Sequence, residues 1–314
     1  MIPQPRTATP KLAGAFVLGV VCAEAARLAG VLPRQRAPAA GPSRARRLPK
    51  RARALEGSAA LLAASVLADS AVEHYRGSFE NPGMFAPMVS SALTLLAGGE
   101  GATFGAARAR AFRKSAFAMA VAVGAIGAGF HVYDVFRRPG GMSWLNLFYG
   151  APLGAPAALS VAGVLGLCAE RLGAGATRLF GLPAGRALAA LSSFALAGTV
   201  AEAALLHFRG AFHNPFMWIP VTLPPVASGL MAKAALQRPS KPRHPLTRAW
   251  LWVTATAGFI GVGFHAYGVS RAMGGWRNWS QNVVDGPPLP APPAFSSLAL
   301  SALTALSLLE ESGA

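Results

Sequence analysis

Four histidines stand at the ends of long apolar segments, in two pairs that repeat along the chain. His74 and His207 open the matching stretches "HYRGSFENP" and "HFRGAFHNP", about 133 positions apart. His131 and His265 lie in the matching stretches "GAIGAGFHVY" and "GFIGVGFHAY", about 134 positions apart. Imidazole ligates metals and exchanges protons near neutral pH, and an ionisable side chain is costly within apolar sequence. These four histidines are therefore the candidate cofactor-binding residues.

Small residues precede the second histidine of each repeat, which is His131 or His265. The glycines four and seven residues before these histidines share their helical face; they are Gly124, Gly127, Gly258 and Gly261. Such a stack leaves a slot for a flat ring, so we expect a b-type haem held by two histidines, or a quinone. Small residues at these spacings also let transmembrane helices pack closely with no ligand present. Both interpretations stay open.

Two acids repeat in the same way. Asp69 and Glu202 are about 133 positions apart, each five residues before the first histidine of its repeat. Five residues turn a helix by about 140°, so acid and histidine do not share a face. An acid present in both copies of an apolar helix predicts a proton relay or a polar pairing inside the bundle.

The remaining polar residues have simpler interpretations. Glu170 lies beside Arg171, so local charge pairing accounts for it. The two cysteines, Cys22 and Cys168, both fall inside apolar segments. Neither they nor the histidines show a metal-ligand spacing, so no metal site is predicted.

The elements that carry these residues are membrane spans. The chain of 314 residues is 53% hydrophobic and only 13% charged. Several windows of about 20 residues are nearly free of charge, as crossing a bilayer requires. The sequence therefore predicts an all-α, multi-pass membrane protein in contact with lipid. Its nine apolar segments cover about 12–30, 57–75, 84–99, 115–136, 152–170, 187–208, 216–236, 249–270 and 292–309.

Basic residues indicate the orientation of these segments. Loops on one side carry 21 of the 29 Lys and Arg residues, including the basic loop 33–54. This bias predicts an N-terminus outside and a C-terminus in the cytoplasm. It also explains the net charge of +17 without a nucleic-acid partner. Abundant arginine and alanine suggest a bacterial protein, which places it in the inner membrane. We interpret segment 12–30 as a retained helix rather than a cleaved signal peptide, because a strongly basic loop follows it.

The repeat extends over most of the chain. Segments one to four and five to eight form two tandem four-helix units that run in the same direction, with the ninth segment as an extra copy of the leading helix. The predicted divisions are a tail at 1–11, repeats at 12–150 and 151–290, and a final helix and tail at 291–314. All the repeated motifs fall on the predicted outer side.

Function is less constrained than fold. The sequence lacks a P-loop and the GxSxG, CxxC and HExxH motifs, so it leaves open whether the protein is an enzyme. Two tandem four-helix bundles with an outer site resemble, in architecture alone, the quinol-interacting membrane subunits of bacterial respiratory complexes. That resemblance implies electron transfer between haem or quinol and a periplasmic or membrane redox partner. A small-solute or ion transporter and a non-catalytic scaffold or assembly protein are the alternatives.

Overall fold

A computed structural model describes residues 42–105, 109–237 and 244–311. Most of these residues are helical. In chain order the α-helices are α1 (Pro42–Arg76), α2 (Ala86–Phe104), α3 (Arg110–Arg137), α4 (Trp144–Tyr149), α5 (Gly154–Gly173), α6 (Ala184–Arg209), α7 (Ile219–Leu236), α8 (Pro245–Arg271), α9 (Trp279–Asp285) and α10 (Pro293–Glu310). Short 3₁₀ helices at Pro82–Phe85, Pro215–Trp218 and Gly275–Asn278 precede α2, α7 and α9. The first predicted segment, 12–30, lies outside the described residues.

The long helices confirm an all-α architecture that can cross a membrane several times. Within the described ranges, seven helices are long and apolar enough to span a bilayer. They are Arg47–Arg76, Arg110–Arg137, Gly154–Gly173, Ala184–Arg209, Pro215–Leu236, Pro245–Arg271 and Pro293–Glu310. The remaining long helix, α2, falls short because it is richer in polar residues. Its buried hydroxyls bond within the helix: Ser91 Oγ donates to Pro87 O at 2.6 Å and Thr94 Oγ1 to Ser90 O at 2.8 Å.

One local expectation was wrong. The predicted basic loop 33–54 is helical from Pro42 onward, because Leu48, Ala52 and Leu55 continue one buried helical face below the membrane span. A search for uncharged windows overlooks such an amphipathic extension. A two-residue antiparallel pairing, β1 (Arg178–Leu179) with β2 (Leu182–Pro183), connects α5 to α6. The short helices α4 and α9 lie between the predicted spans.

The long helices form two packed groups. One group contains α1, α2, α3 and α5, and the other contains α6, α7, α8 and α10. Within each group the last helix, α5 or α10, packs against the first and the third. The groups meet where α1 packs on α10, with Ser297 Oγ donating to Ser58 O at 2.7 Å. The repeat boundary predicted at residue 150 separates α3 from α5, although these two helices pack together.

An arginine holds the same place in both groups. Arg53 donates to the last carbonyls of α2 at 2.8 and 2.9 Å. Arg186, about 133 positions later, donates to the last carbonyls of α7 at 3.0 and 3.1 Å. A cation at a helix C-terminus satisfies carbonyls that have no partner within the helix. The two groups are therefore similar at both ends, and not only where the histidine motifs lie.

Candidate functional site

The candidate site lies at the end of the molecule where α1, α3, α6 and α8 finish, which we call the histidine end. The chain leaves α1 and α6 through two nearly identical turns. Phe79 N donates to His74 O, and Phe212 N donates to His207 O, both at 3.1 Å. The residues between take left-handed backbone angles; these are Ser78 (φ 55), Phe79 (φ 48), Ala211 (φ 54) and Phe212 (φ 47).

An asparagine then starts the following 3₁₀ helix in each corner. Asn81 Oδ1 accepts from Gly83 N at 2.8 Å, and Asn214 Oδ1 accepts from Phe216 N at 3.0 Å. The proline after each asparagine has the fixed φ that suits the first position of a helix. The Asn-Pro pair of the repeated motif is therefore a structural cap.

His74 and His207 each contact the turn that follows their own helix. The His74 and Phe79 rings meet edge to face with centroids 6.5 Å apart, and the His207 and Phe212 rings do so at 6.2 Å. His207 Nδ1 also lies 2.8 Å from Met217 O. Part of the repeated motif is therefore explained by the turn itself.

Three histidines have one ring nitrogen fixed by a main-chain carbonyl. His207 Nδ1 bonds Met217 O at 2.8 Å, and His265 Nδ1 bonds Pro288 O at 2.6 Å. His131 Nδ1 bonds Pro152 O. Because a carbonyl oxygen only accepts, Nδ1 must carry the hydrogen in each ring. In the neutral ring Nε2 then presents a lone pair, which can accept a hydrogen bond or bind a metal.

The four histidines assemble as one pair in each helix group. The His207 and His265 rings have centroids 6.5 Å apart, with planes at 70°. His74 and His131 are close enough to influence each other electrostatically. The pairing of equivalent residues across two helices follows from the repeat, but the contact itself depends on how α6 and α8 pack.

A large apolar cavity adjoins only one of the two pairs. Its volume is about 2100 Å³, and its walls come from α1 and α5 of one group and α6, α7, α8 and α10 of the other. His207 and His265 line it, together with apolar side chains such as Phe264 and Met217. His74 and His131 are not among its lining residues. The two histidine pairs therefore differ in what they can reach.

Both repeated acids line the same cavity. Asp69 enters from α1 and Glu202 from α6, and their charges interact. Glu202 lies against the start of α5. A methyl group at Gly154 would lie 2.8 Å from Glu202 Cγ. The fold thus brings the two acids to the wall of one cavity.

The predicted ring slot beside the glycines is wrong, because neighbouring helices fill it. A methyl group at Gly124 would lie 2.5 Å from Pro156 O, and one at Gly258 would lie 2.8 Å from Pro292 O. A methyl group at Gly127 would lie 3.3 Å from Pro156 Cβ, and one at Gly261 would lie 2.8 Å from Pro292 Cβ. The glycines therefore allow α5 and α10 to approach α3 and α8 closely.

A second polar cluster, which the sequence did not predict, lies at the other end of the molecule. Glu170 binds Arg110 Nε at 3.1 Å and Arg113 Nε at 2.5 Å, so its pairing reaches across to α3 and is not only local. Arg113 is fully buried. In the sequence, an arginine and several acids stand next to apolar segments, which could have indicated this cluster. The many basic residues of the neighbouring loops made them hard to distinguish. Within the described ranges, no group of three or more His, Cys, Asp or Glu side chains could hold a metal ion.

Comparison with known proteins returned no family. No protein-family model, curated protein or solved structure matches this chain. The chemistry of the histidine end therefore rests on its own geometry.

Proposed function

We propose that this protein is a membrane subunit that binds a quinol in the cavity beside His207 and His265 and passes its electrons to a redox partner. The observation that carries the proposal is the placement of two fixed imidazoles and two acids on the wall of one large apolar cavity. Ligand sites typically combine an apolar lining with a few convergent polar groups. A quinol needs that combination, because its ring and isoprenoid tail are apolar and its two hydroxyls are polar.

The histidines supply the acceptors that a quinol requires. With Nδ1–H committed to Met217 O or Pro288 O, the Nε2 of His207 and of His265 is left to accept a quinol O–H. Oxidation of a quinol to a quinone releases two electrons and two protons. The electrons leave to the partner's acceptor, and Asp69 and Glu202 are placed to receive protons at the cavity wall.

The proposed function requires one orientation of the protein in the membrane. The histidine end faces the periplasm of a bacterial inner membrane, so the protons leave on that side and the electron acceptor is a periplasmic or membrane partner. The distribution of 21 of the 29 Lys and Arg residues toward the other side supports this orientation.

A b-type haem is the second candidate, favoured by one distance. Two imidazoles that ligate one metal at ~2.0–2.1 Å per nitrogen from opposite sides place their ring centroids roughly 6 Å apart. The His207 and His265 centroids are 6.5 Å apart. His207 and His265 would then hold the haem iron, and the carbonyls on Nδ1 would orient their rings. The quinol remains the first candidate because it also accounts for the two acids.

An absorption spectrum and a lipid extract of the purified protein test the two candidates together. We expect bound quinone at close to one per chain, and no Soret band in the oxidised or the reduced protein. A Soret band with a shifted reduced spectrum would replace the quinol by haem. If neither a Soret band nor bound quinone is found in protein purified from its native membrane, both candidates fail.

A further inference from the structure

Five charged side chains meet where α1, α2, α3 and α5 converge, at the end opposite the histidines. This charge cluster consists of Glu56, Glu100, Arg110, Arg113 and Glu170. Glu56, Arg113 and Glu170 are each no more than 1% exposed. Burying charges is costly unless each one is paired and hydrogen-bonded. Each buried charge of the cluster therefore needs a partner.

The two arginines are committed to two of the three acids. Arg113 Nε donates to Glu170 Oε1 at 2.5 Å, and Arg110 Nε donates to Glu170 Oε2 at 3.1 Å. Arg113 Nη1 donates to Glu100 Oε2 and, at 3.2 Å, to Gly105 O. Glu100 and Glu170 are therefore well paired as carboxylates.

Glu56 is the acid that these donors do not satisfy. Its Oε1 lies 3.6 Å from Arg113 Nε, which is beyond hydrogen-bond distance. Its Oε2 is buried and has no hydrogen-bond partner. Arg53 directs its guanidinium to the carbonyls at the end of α2. A bare carboxylate in this position would lack the hydrogen bonds that normally stabilise a buried charge.

The second helix group shows that the fold does not require this cluster. The positions equivalent to Glu56, Arg113 and Glu170 are filled by Ala189, Thr247 and Leu306, all of which are buried. Gly101 leaves the room that the Glu56 carboxyl occupies, since a methyl group there would lie 2.4 Å from Glu56 Cδ. Its counterpart in the second group is Ala234. Replacing buried ion pairs with well-packed apolar residues is often neutral or stabilising, so the charges of the first group serve a purpose other than packing.

We propose that Glu56 is a proton-binding site, whose carboxyl group carries a proton that the charge cluster holds in place. Three carboxyl groups share two guanidiniums, so one added proton leaves the five side chains electrically balanced. A neutral carboxyl group also removes the cost of a buried anion that has an oxygen without a hydrogen bond. The proton exchanges with water along the exposed edge of the cluster, where the side chains of Arg110 and Glu100 are 44% and 21% exposed. This site is independent of the proposed quinol cavity.

Infrared difference spectroscopy with a matched pair of variants tests the assignment. We expect wild-type protein at neutral pH to show a C=O stretching band of a protonated carboxylic acid, shifted in D₂O and absent in Glu56→Gln. Because glutamine resembles the protonated form, Glu56→Gln keeps the melting temperature of the wild type. Glu170→Gln removes a paired carboxylate and lowers it; Glu100→Gln gives the same comparison if Glu170→Gln does not fold.

Three results would overturn the proposal. The first is that the acid band survives in Glu56→Gln. The second is that Glu56→Gln is as destabilised as Glu170→Gln, or does not fold, because Glu56 would then be needed as an anion. The third is that wild-type protein shows no such band and instead melts at a temperature that rises with sodium concentration, which would make the bound ion a metal cation.

Discussion

His207 and His265 lie in nearly the same motifs as His74 and His131, but their surroundings in the fold are different. Both pairs sit in nearly the same local sequence, yet only this pair lines the apolar cavity. The two equivalent acids behave differently, because Asp69 of α1 and Glu202 of α6 both line the cavity. A repeated motif therefore marks candidate residues, while the packing between the two helix groups decides which copies can act.

Replacing His265 with asparagine separates its structural bond from its proposed chemistry. The asparagine amide can still donate to Pro288 O, but it lacks the Nε2 lone pair. We expect His265→Asn to fold normally and to lose bound quinone by about tenfold or more, since a lost hydrogen bond of about 1.4 kcal/mol changes affinity tenfold. Quinone content after purification is the measurement. The matched control is His131→Asn, which should retain quinone; equal loss in both variants would refute the distinction.

The acids at the cavity wall give a prediction about rate. Asp69→Asn and Glu202→Gln leave the shape of the cavity nearly unchanged but remove proton acceptors. With the redox partner present in native membranes, we expect quinol oxidation to slow by about 10²-fold in the double variant. Glu80→Gln changes an exposed acid of the same end that does not line the cavity, and it should leave the rate unchanged. An unaffected double variant would remove the acids from the mechanism.

At the scale of elements, the close approach of α5 to α3 and of α10 to α8 depends on glycines whose spacing was visible in the sequence. The sequence could show that each stack shares a helical face, because that follows from helical periodicity. It could not show whether a ligand or a helix fills the space, since both leave the same pattern of small residues. The structure decides for the helices, with Pro156 and Pro292 against the glycine faces.

Alanine substitutions along α3 and α8 test this packing. A methyl group at Gly124 or Gly258 would meet the neighbouring main chain at 2.5 or 2.8 Å, so we expect each variant to lose about 1–3 kcal/mol of stability. Gly129 and Gly263 lie on the same two helices with nothing within 4 Å of an added methyl group. Their alanine variants should be neutral or more stable by up to about 1 kcal/mol. Thermal melting in detergent makes the comparison, and equal effects at all four sites would contradict it.

At the scale of the whole molecule, seven of the eight spans predicted from the second segment onward coincide with described helices that are long and apolar enough to cross a bilayer, and α2 is the exception. Long uncharged stretches are a strong signal because the bilayer interior requires them. What the sequence could not predict depends on contacts between segments. The joining of α1 to α10, the cavity between the groups and the charge cluster that includes Glu56 and Arg113 all arise from such contacts.

The proposed orientation can be tested with single cysteines. Ser78→Cys lies in the first corner of the histidine end, and Ala174→Cys lies in the exposed turn after α5. In intact cells, a membrane-impermeant maleimide should label Ser78→Cys, and it should label Ala174→Cys only after the inner membrane is permeabilised. Both native cysteines, Cys22 and the buried Cys168, are replaced by alanine in the starting protein, so that neither adds background. Labelling with the reverse pattern would invert the topology and place the quinol site on the cytoplasmic side.

Photoaffinity labelling with an azido-quinone most directly tests the central claim that the cavity beside His207 and His265 binds a quinol. Trp252, Phe264 and Met217 line that cavity and provide reactive contacts. Mass spectrometry of the labelled protein should place the adduct on α6, α7 or α8 close to these residues, and unlabelled quinol should prevent its formation. Adducts scattered over the lipid-facing helices, or adducts that excess quinol does not reduce, would contradict the account.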